Sequence, residues 1–451
     1  MPDPDLFDAT TLQQYLRDGY VRVQTCMPAG FHEELYRKID EVVEKEGNPG
    51  NNLVPRIPAI SQVLADPGVE AALTGILGPG YLAHAHRHCH YRQPHTEAQR
   101  LHKDSWSRLH HRARWAMAFY YPQDTTVDMG PTGVVPGSQY LNRDPQVEPT
   151  ALEGGAGTVV IVHYDLWHLG MANTSDRKRY MLKFLFSRTD EPVQQQTLGD
   201  ASGNGDGLSP LHHSLWRWYH GMGEPAGGRD LSSKEIAELG RQLSSEQETE
   251  GLQAAYTLGE SGSSAAASTL LDALHTDSVE LRRTAGYGLS ALGPVAVPDL
   301  VQLVDGTDSE DQRTAALEAL ADMGTPAAEA VPTLRRALSS PGDSEFRRCA
   351  AYALGNLGTA AADALPELAA ALSGDDDEVA RDAAHTLARI GRGARPALED
   401  ITAALDHPNR YVQASCLRAL QRMDCDEARQ TLLDHLTTAR WCPLTTKDTL
   451  Y

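Results

Sequence analysis

The sequence predicts a chain in two parts. The first half reads as short strands in a β-sandwich or jelly roll with flanking helices, and the second half as an all-α solenoid. Three observations carry this. Between 81 and 188, four strand-like segments (YLAHAHRHCHYR, RARWAMAFYY, GTVVIVHYD and RYMLKFLFSR) are separated by turn-rich stretches such as MGPTGVVPGS. Beyond 246, one motif returns every 31 to 34 residues. Between the halves, 191–232 contains QQQTLGDASGNGDGLSP and GEPAGGRDLSS, rich in Gly, Ser, Pro and Asp as loops and linkers are.

The chain has 451 residues, 41% hydrophobic and 22% charged, and a mean hydropathy of −0.41. This composition is that of a folded globular protein, long enough for two or three domains. No apolar run approaches the ~20 residues of a membrane helix, and the acidic start MPDPDLFDATT lacks the apolar core of a secretory signal. The net charge of −21 argues against a general nucleic-acid or anionic-membrane binder. It is uneven: residues 230–451 hold 35 acidic and 19 basic residues, whereas histidine clusters before 221. Six cysteines without a CxxC pair suggest reduced thiols and a cytoplasmic protein.

Before the strands, FDATTLQQYLRDGYVRV reads as helix, glycine turn and strand, and FHEELYRKIDEVVEKEG as an amphipathic helix. After them, HHSLWRWYHG (212–221) reads as a packed helix of the first domain.

In the second half, Gly259, Gly293, Gly324, Gly358, Gly391 and Asp424 mark the repeat, at spacings of 34, 31, 34, 33 and 33. Four residues before each of the last five markers stands Leu289, Leu320, Leu354, Leu387 or Leu420, and eight before stands Ala285, Ala316, Ala350, Ala383 or Cys416. That is one helix face, with a small residue where helices approach closely. The marker glycine suits a helix C-cap. A second apolar helix follows, as in AVPDLVQLV, AVPTLRRAL and ALPELAAAL, so each period holds two helices. The pattern D-x-x-V/F-R-R-x-A-A-x-A-L-x-x-L-G resembles short HEAT-like repeats, about six of them over 246–436. The acidic clusters Asp308–Asp311 and Asp375–Glu378 precede first helices of repeats, where carboxylates favour the N-terminus. Arg282, Arg313, Arg347 and Arg381 recur at near-equivalent positions as a structural ladder.

The candidate metal site is His102 and Asp104 with His168. On a strand, residues i and i+2 point to the same side, so an imidazole and a carboxylate converge. A second histidine from a distant strand completes a facial triad that suits Fe(II) and leaves coordination positions open. His-x-Asp alone is weak, because the chain has three: His102/Asp104, His163/Asp165 and His275/Asp277. The third lies between repeats and reads as surface, and the second lacks a downstream partner. Only the first is followed, 66 residues after His102, by a histidine with an informative tail.

That tail is His168-Leu-Gly-Met-Ala-Asn173-Thr-Ser175-Asp-Arg177-Lys-Arg179. It resembles the H-x-G-x-x-N-x-S-x-x-x-R segment of the phytanoyl-CoA dioxygenase family, which includes ectoine hydroxylases. MGPTGVVPGSQY (129–140) resembles that family's G-P-x-x-V-x-P-G-S-H loop, with Gln139 in place of the usual His, and the opening helix and DGYVRV strand also match. The resemblance spans roughly 6–222. It implies a double-stranded β-helix (jelly roll), Fe(II), 2-oxoglutarate as cosubstrate and O2.

Carried over by position, the resemblance makes His102, Asp104 and His168 the iron ligands. Arg179 then pairs with the far carboxylate of 2-oxoglutarate, a task its guanidinium fork suits. Arg177 is the runner-up. Halogenating relatives have Gly or Ala at the position of Asp104, so the carboxylate argues for hydroxylation, with desaturation, epoxidation and ring closure left open. His84, His86, His88, His90 and Arg92 alternate on one strand face. In the family this strand lines the pocket and often ends in Lys-Pro, where here Arg92-Gln93-Pro94 stands. Arg92 and His88 are thus candidate 2-oxoglutarate contacts, and His86 and His90 candidate pocket residues. A second metal site and ordinary packing of strand histidines are the rival readings; parity and the place just before the triad favour pocket lining. Trp167, beside His168, is a candidate pocket wall. Trp106, Trp115 and Phe119 read as core, and Gly130, Pro131, Pro136 and Gly137 as turn residues.

The expected organisation is a dioxygenase jelly roll over 1–228, a solenoid over 233–440 and a tail over 441–451. Three functions compete: a hydroxylase of a small polar metabolite whose solenoid binds proteins, a protein hydroxylase whose solenoid captures its substrate, and a non-catalytic scaffold. The intact triad with Arg179 disfavours the last.

Overall fold

The computed structural model describes residues 7–105, 109–193, 209–222, 230–306, 309–341 and 343–438. The 441–451 tail, Trp106 and most of the 191–232 linker lie outside the described residues. The chain divides into two compact units, Met1–Ala330 and Val331–Tyr451.

The first unit opens with the helix Ala9–Asp18, capped by the Asp8 carboxylate and closed at Gly19. It turns directly into β1 (Tyr20–Gln24). The helices Ala29–Glu46 and Pro67–Leu77 follow. Seven more strands complete the fold: β2 (Leu82–Arg92), β3 (Trp115–Tyr120), β4 (Thr132–Val134), β5 (Thr150–Ala151), β6 (Thr158–His163), β7 (His168–Gly170) and β8 (Arg179–Ser187). They form an antiparallel five-stranded sheet in the order β1-β6-β3-β8-β2 and a three-stranded sheet in the order β5-β4-β7. This is the two-sheet arrangement of a jelly roll, and all four long strands read from the sequence are present. The short strands β4, β5 and β7 carry too few residues for a period-two signal.

Strand β8 is buried along its whole length, so its alternation separates two apolar layers rather than core from water. Tyr180, Leu182, Phe184 and Phe186 face the helices, whereas Met181 and Leu185 join the core between the sheets with Met117, Phe119 and Val160. The helix-side core continues through Leu215 and Trp216 of the Pro210–Tyr219 helix to Leu252, Tyr256 and Tyr287 of the first helical pairs.

Those pairs are Glu248–Glu260 with Ser264–Leu274 and Val279–Leu292 with Val297–Gly306, followed by Glu310–Met323. Val279–Gly306 is long and apolar enough to pass for a membrane span, but it is two repeat helices joined through Gly293–Ala296, mostly buried. The second unit continues the pattern with Val331–Leu338, Ser344–Leu357, Leu365–Leu372, Asp377–Ile390, Leu398–Ala403, Arg410–Met423 and Asp426–Thr438. Ala285, Ala316, Ala350, Ala383 and Cys416 are all 0% exposed, as the close approach of helices requires.

Gly293, Gly324, Gly358 and Gly391 take φ between 58° and 77° at helix ends, a conformation costly for any residue with a Cβ. Gly259 departs from this pattern: it lies inside its helix, and a Cβ there would come 2.5 Å from the carbonyl oxygen of Gly288. Two rungs of the arginine ladder pair with the acidic clusters 29 residues on, whereas Arg313 donates to the Val304 carbonyl and Asp308 lies outside the described residues. Arg282 bonds Asp311 at 2.6 Å and Arg347 bonds Asp376 at 2.8 Å, each spanning 29 residues.

Candidate metal centre

His102 is not in a regular strand. It forms a single antiparallel bridge with His168, each N–H donating to the other's carbonyl at 2.9 Å. Residues paired this way stand side by side, and the two imidazole centroids lie 4.5 Å apart. Cross-strand pairing therefore brings the histidines together, as expected of a histidine from a distant strand, whereas the alternation expected for His102 and Asp104 has no regular strand under it.

Asp104 reaches the same point two residues on. Its Oδ2 lies 3.4 Å from His168 Nε2, and its Oδ1 lies 4.0 Å from His102 Nε2. One ligand atom from each of the three residues lies within 4.8 Å of the others, the one such group among the described residues. His102 Nδ1 bonds the Arg100 carbonyl and His168 Nδ1 the Leu166 carbonyl, both at 2.9 Å. A carbonyl only accepts, so each Nδ1 carries a proton, and Nε2 is the ring nitrogen left to ligate a metal. Burial alone would raise the Asp104 carboxyl, but the Lys183 ammonium, which donates to it, holds it below the usual carboxylate range. Two neutral imidazoles and one carboxylate fit a divalent ion with open positions.

The triad opens into a cavity of about 400 Å³, inside the range of about 300–1,000 Å³ usual for small-molecule sites. Arg179, at the start of β8, lines it and is 2% exposed. Its Nε and Nη2 donate to the Gly130 carbonyl at 3.0 and 2.6 Å. Its Nη1 is buried without a partner, and burial lowers the guanidinium to about 10. An orphaned buried donor on a cation costs at least about 1–3 kcal/mol, which a bound carboxylate would offset. Gly130 makes this geometry possible: its φ is +68°, and a Cβ would come 2.5 Å from the Met171 carbonyl oxygen. The runner-up Arg177 is exposed.

The other candidates separate. Arg92 lines the cavity, but its Nη1 and Nη2 donate to the carbonyls of Glu97 and Gly170, each at 2.8 Å. His90 also lines it, and burial pushes its imidazole down to about 3. His86 and His88 lie further along β2, outside the lining, with ring centroids 5.7 Å apart. Trp167 is outside it too, its indole N–H donating to the Leu141 carbonyl at 2.9 Å. Phe119 belongs to the core and also lines the cavity. Asn173, from the histidine tail, ties its turn to the carbonyls of Gln93 and Arg177.

Sequence reading missed Lys183. It lies four residues beyond Arg179 on the same face of β8, and its Nζ donates to Asp104 Oδ2 at 2.8 Å. Period-two counting from Arg179 would have found it.

Residues 15–181 match the phytanoyl-CoA dioxygenase family (PhyH), a span that contains the triad and Arg179. Residues 236–321, 297–388 and 365–442 match HEAT repeats. No curated protein matches the chain. Among solved structures, the chain is similar to the non-heme alpha-ketoglutarate-dependent carbocyclase SnoK of nogalamycin biosynthesis (21% identity, 42% of this chain and 88% of that one, TM-score 0.36). It is also similar to EctD from S. alaskensis with bound Fe (16% identity, 41% and 78%, TM-score 0.36) and to AviO1 from Streptomyces viridochromogenes Tue57 (14% identity, 40% and 95%, TM-score 0.34). The chain thus joins a phytanoyl-CoA dioxygenase domain to HEAT repeats, and it is a dioxygenase that depends on Fe(II), 2-oxoglutarate and O2.

Proposed function

We propose that this dioxygenase hydroxylates an unactivated C–H of a small polar metabolite, and that its HEAT repeats serve protein interaction. The observation that carries the reading is the buried Nη1 of Arg179, unpartnered beside the His102–Asp104–His168 set. Bound at that set, Fe(II) with 2-oxoglutarate supplies the oxidation: O2 gives one oxygen atom to succinate as CO2 leaves and the other to the substrate C–H.

The chain's own residues bind, orient and exclude water. His102, Asp104 and His168 hold the metal, their tautomers fixed by the Arg100 and Leu166 carbonyls. Arg179 anchors the far carboxylate of 2-oxoglutarate, which fixes the keto-acid end toward the metal. Phe119 and Met181 give the cavity apolar wall, which keeps water from the reacting carbon. His90, Gln93, Thr96 and Gln99 add polar groups to the lining, which suits a polar substrate. A succinate-release screen over candidate metabolites, with His102→Ala as blank, tests the reading. Substrate-dependent succinate together with a product heavier by one oxygen atom is expected. No substrate-dependent succinate from any polar metabolite would overturn it.

A further inference from the structure

The helical repeats reach the metal-binding strands through hydrogen bonds, along two routes. The first runs through the loop at 140–143. Glu248, in the first turn of the Glu248–Glu260 helix, accepts from Asn142 N at 2.7 Å and Arg143 N at 3.1 Å. The carbonyl of the preceding Leu141 accepts from Lys103 Nζ at 3.0 Å and Trp167 Nε1 at 2.9 Å. Lys103 stands between His102 and Asp104, and Trp167 precedes His168. One backbone oxygen therefore ties both ligand segments, and a repeat carboxylate holds the loop that carries it.

The second route runs through 109–114, just beyond Asp104. The His111 ring stacks on Tyr287 with centroids 3.5 Å apart and planes 7° apart. Its Nε2 donates to the Tyr140 carbonyl and its Nδ1 accepts from the Tyr256 hydroxyl, both at 2.9 Å. Arg112 donates to the carbonyls of Asp322 and Met323, the C-terminal end of the Glu310–Met323 helix, and to that of Ser290. His110 lies 3.1 Å from Lys103 Nζ and 3.5 Å from Asp165, which closes the second route on the first.

We propose that Glu248, Tyr256 and Tyr287 are positioning residues for the metal centre, because they fix the Leu141 carbonyl and the 109–114 segment that hold the chain neighbours of His102, Asp104 and His168. Simple adhesion between the jelly roll and the helices would be served by the apolar contacts they already share. Burying Lys103, Asp165 and two histidines at the same seam is costly unless they pair, and the pairing they find runs to the segment between the metal ligands. Partners of metal-ligating groups commonly change metal affinity by about 10–100-fold when removed, and a residue one bond further out should act by less.

The inference rests on the dioxygenase reading of the triad, so the test reads the metal directly in the full-length chain. Mn(II) affinity is measured by electron paramagnetic resonance. The charge-transfer band of anaerobic Fe(II) with 2-oxoglutarate is recorded beside it, with Tm for each variant. Glu248→Ala and Tyr256→Phe should weaken Mn(II) binding about 3- to 10-fold and shift the band while the fold is kept. Glu248→Gln, which retains an acceptor oxygen, should recover most of the loss. Wild-type affinity and band in both Glu248→Ala and Tyr256→Phe would overturn the proposal. A wild-type protein that binds no Mn(II) and gives no band would instead overturn the metal reading itself, and the proposal with it.

Discussion

Lys183 donates to Asp104: Nζ lies 2.8 Å from Oδ2, in a cavity wall that also carries Arg179 four residues earlier on the same strand. The pair fixes the orientation of the one acidic ligand and adds a positive charge to the site. Those two effects oppose each other for a cation and act together for an anion, so the anion is the clean readout. A unit charge a few ångströms away is worth a few kcal/mol at an effective dielectric of about 20. Lys183→Met should therefore weaken 2-oxoglutarate binding about tenfold or more, measured by titration of the charge-transfer band at saturating Fe(II). An unchanged Kd would show that the ammonium does not act on the acid.

Arg179 makes a stronger demand. Two of its nitrogens serve the Gly130 carbonyl and the third is left for a ligand. A hydrogen bond to a charged group contributes about 1.5–3 kcal/mol, so Arg179→Lys, which keeps the charge and loses the fork, should raise the 2-oxoglutarate Kd about 10- to 100-fold. Mn(II) affinity should stay within a few-fold, because no metal ligand is touched. Equal losses of both would mean that the substitution had disturbed the triad.

The triad was legible because its chemistry is local in sequence: His-x-Asp on one segment, and a histidine with a recognisable tail on another. The repeats were legible for a related reason, since Leu289 and Ala285 recur with their counterparts every 31 to 34 residues. Lys183 was visible in principle, but Arg179-Tyr-Met-Leu-Lys183 reads first as an apolar strand. What no pattern announces is the role of the Leu141 carbonyl. Backbone oxygens have no residue signature, and the contact from Glu248 to Asn142 spans 106 residues. The stack of His111 on Tyr287 was hidden likewise, because nothing in the sequence around either residue points to the other.

Gly130 joins conformation to site geometry. It holds φ at +68° with the Met171 carbonyl 2.5 Å from where a Cβ would be, and its own carbonyl receives Arg179. Gly130→Ala should cost about 1–3 kcal/mol for the left-handed backbone alone, with more from the clash. A lower Tm together with weaker 2-oxoglutarate binding is expected, while the apolar core between the sheets is untouched. A variant with unchanged Tm would mean that the loop relaxes freely and that the Arg179 anchor does not depend on it.

The buried polar seam should make the protein acid-sensitive. Burial holds His163 down to about 3 and His110 and His111 well below their ordinary value, whereas burial raises Asp165 to about 7. In the unfolded chain histidine titrates near ~6.5 and aspartate near ~3.9. From about pH 6.5 down to about 4, each of these three histidines therefore binds a proton only when unfolded, and each destabilises the native state as pH falls. Asp165 opposes one of them, since the native state keeps its proton up to about 7. The balance of two protons favours unfolding, by about 1.4 kcal/mol per pH unit for each. Lys103 and Arg283, the cations that face this cluster, act in the same sense by disfavouring charged imidazoles. Thermal melts should show Tm falling from pH 7 to pH 5, and His163→Gln should flatten the slope by about one proton. A Tm that rises on acidification would mean that Asp165 dominates and that the histidines titrate freely in the folded protein.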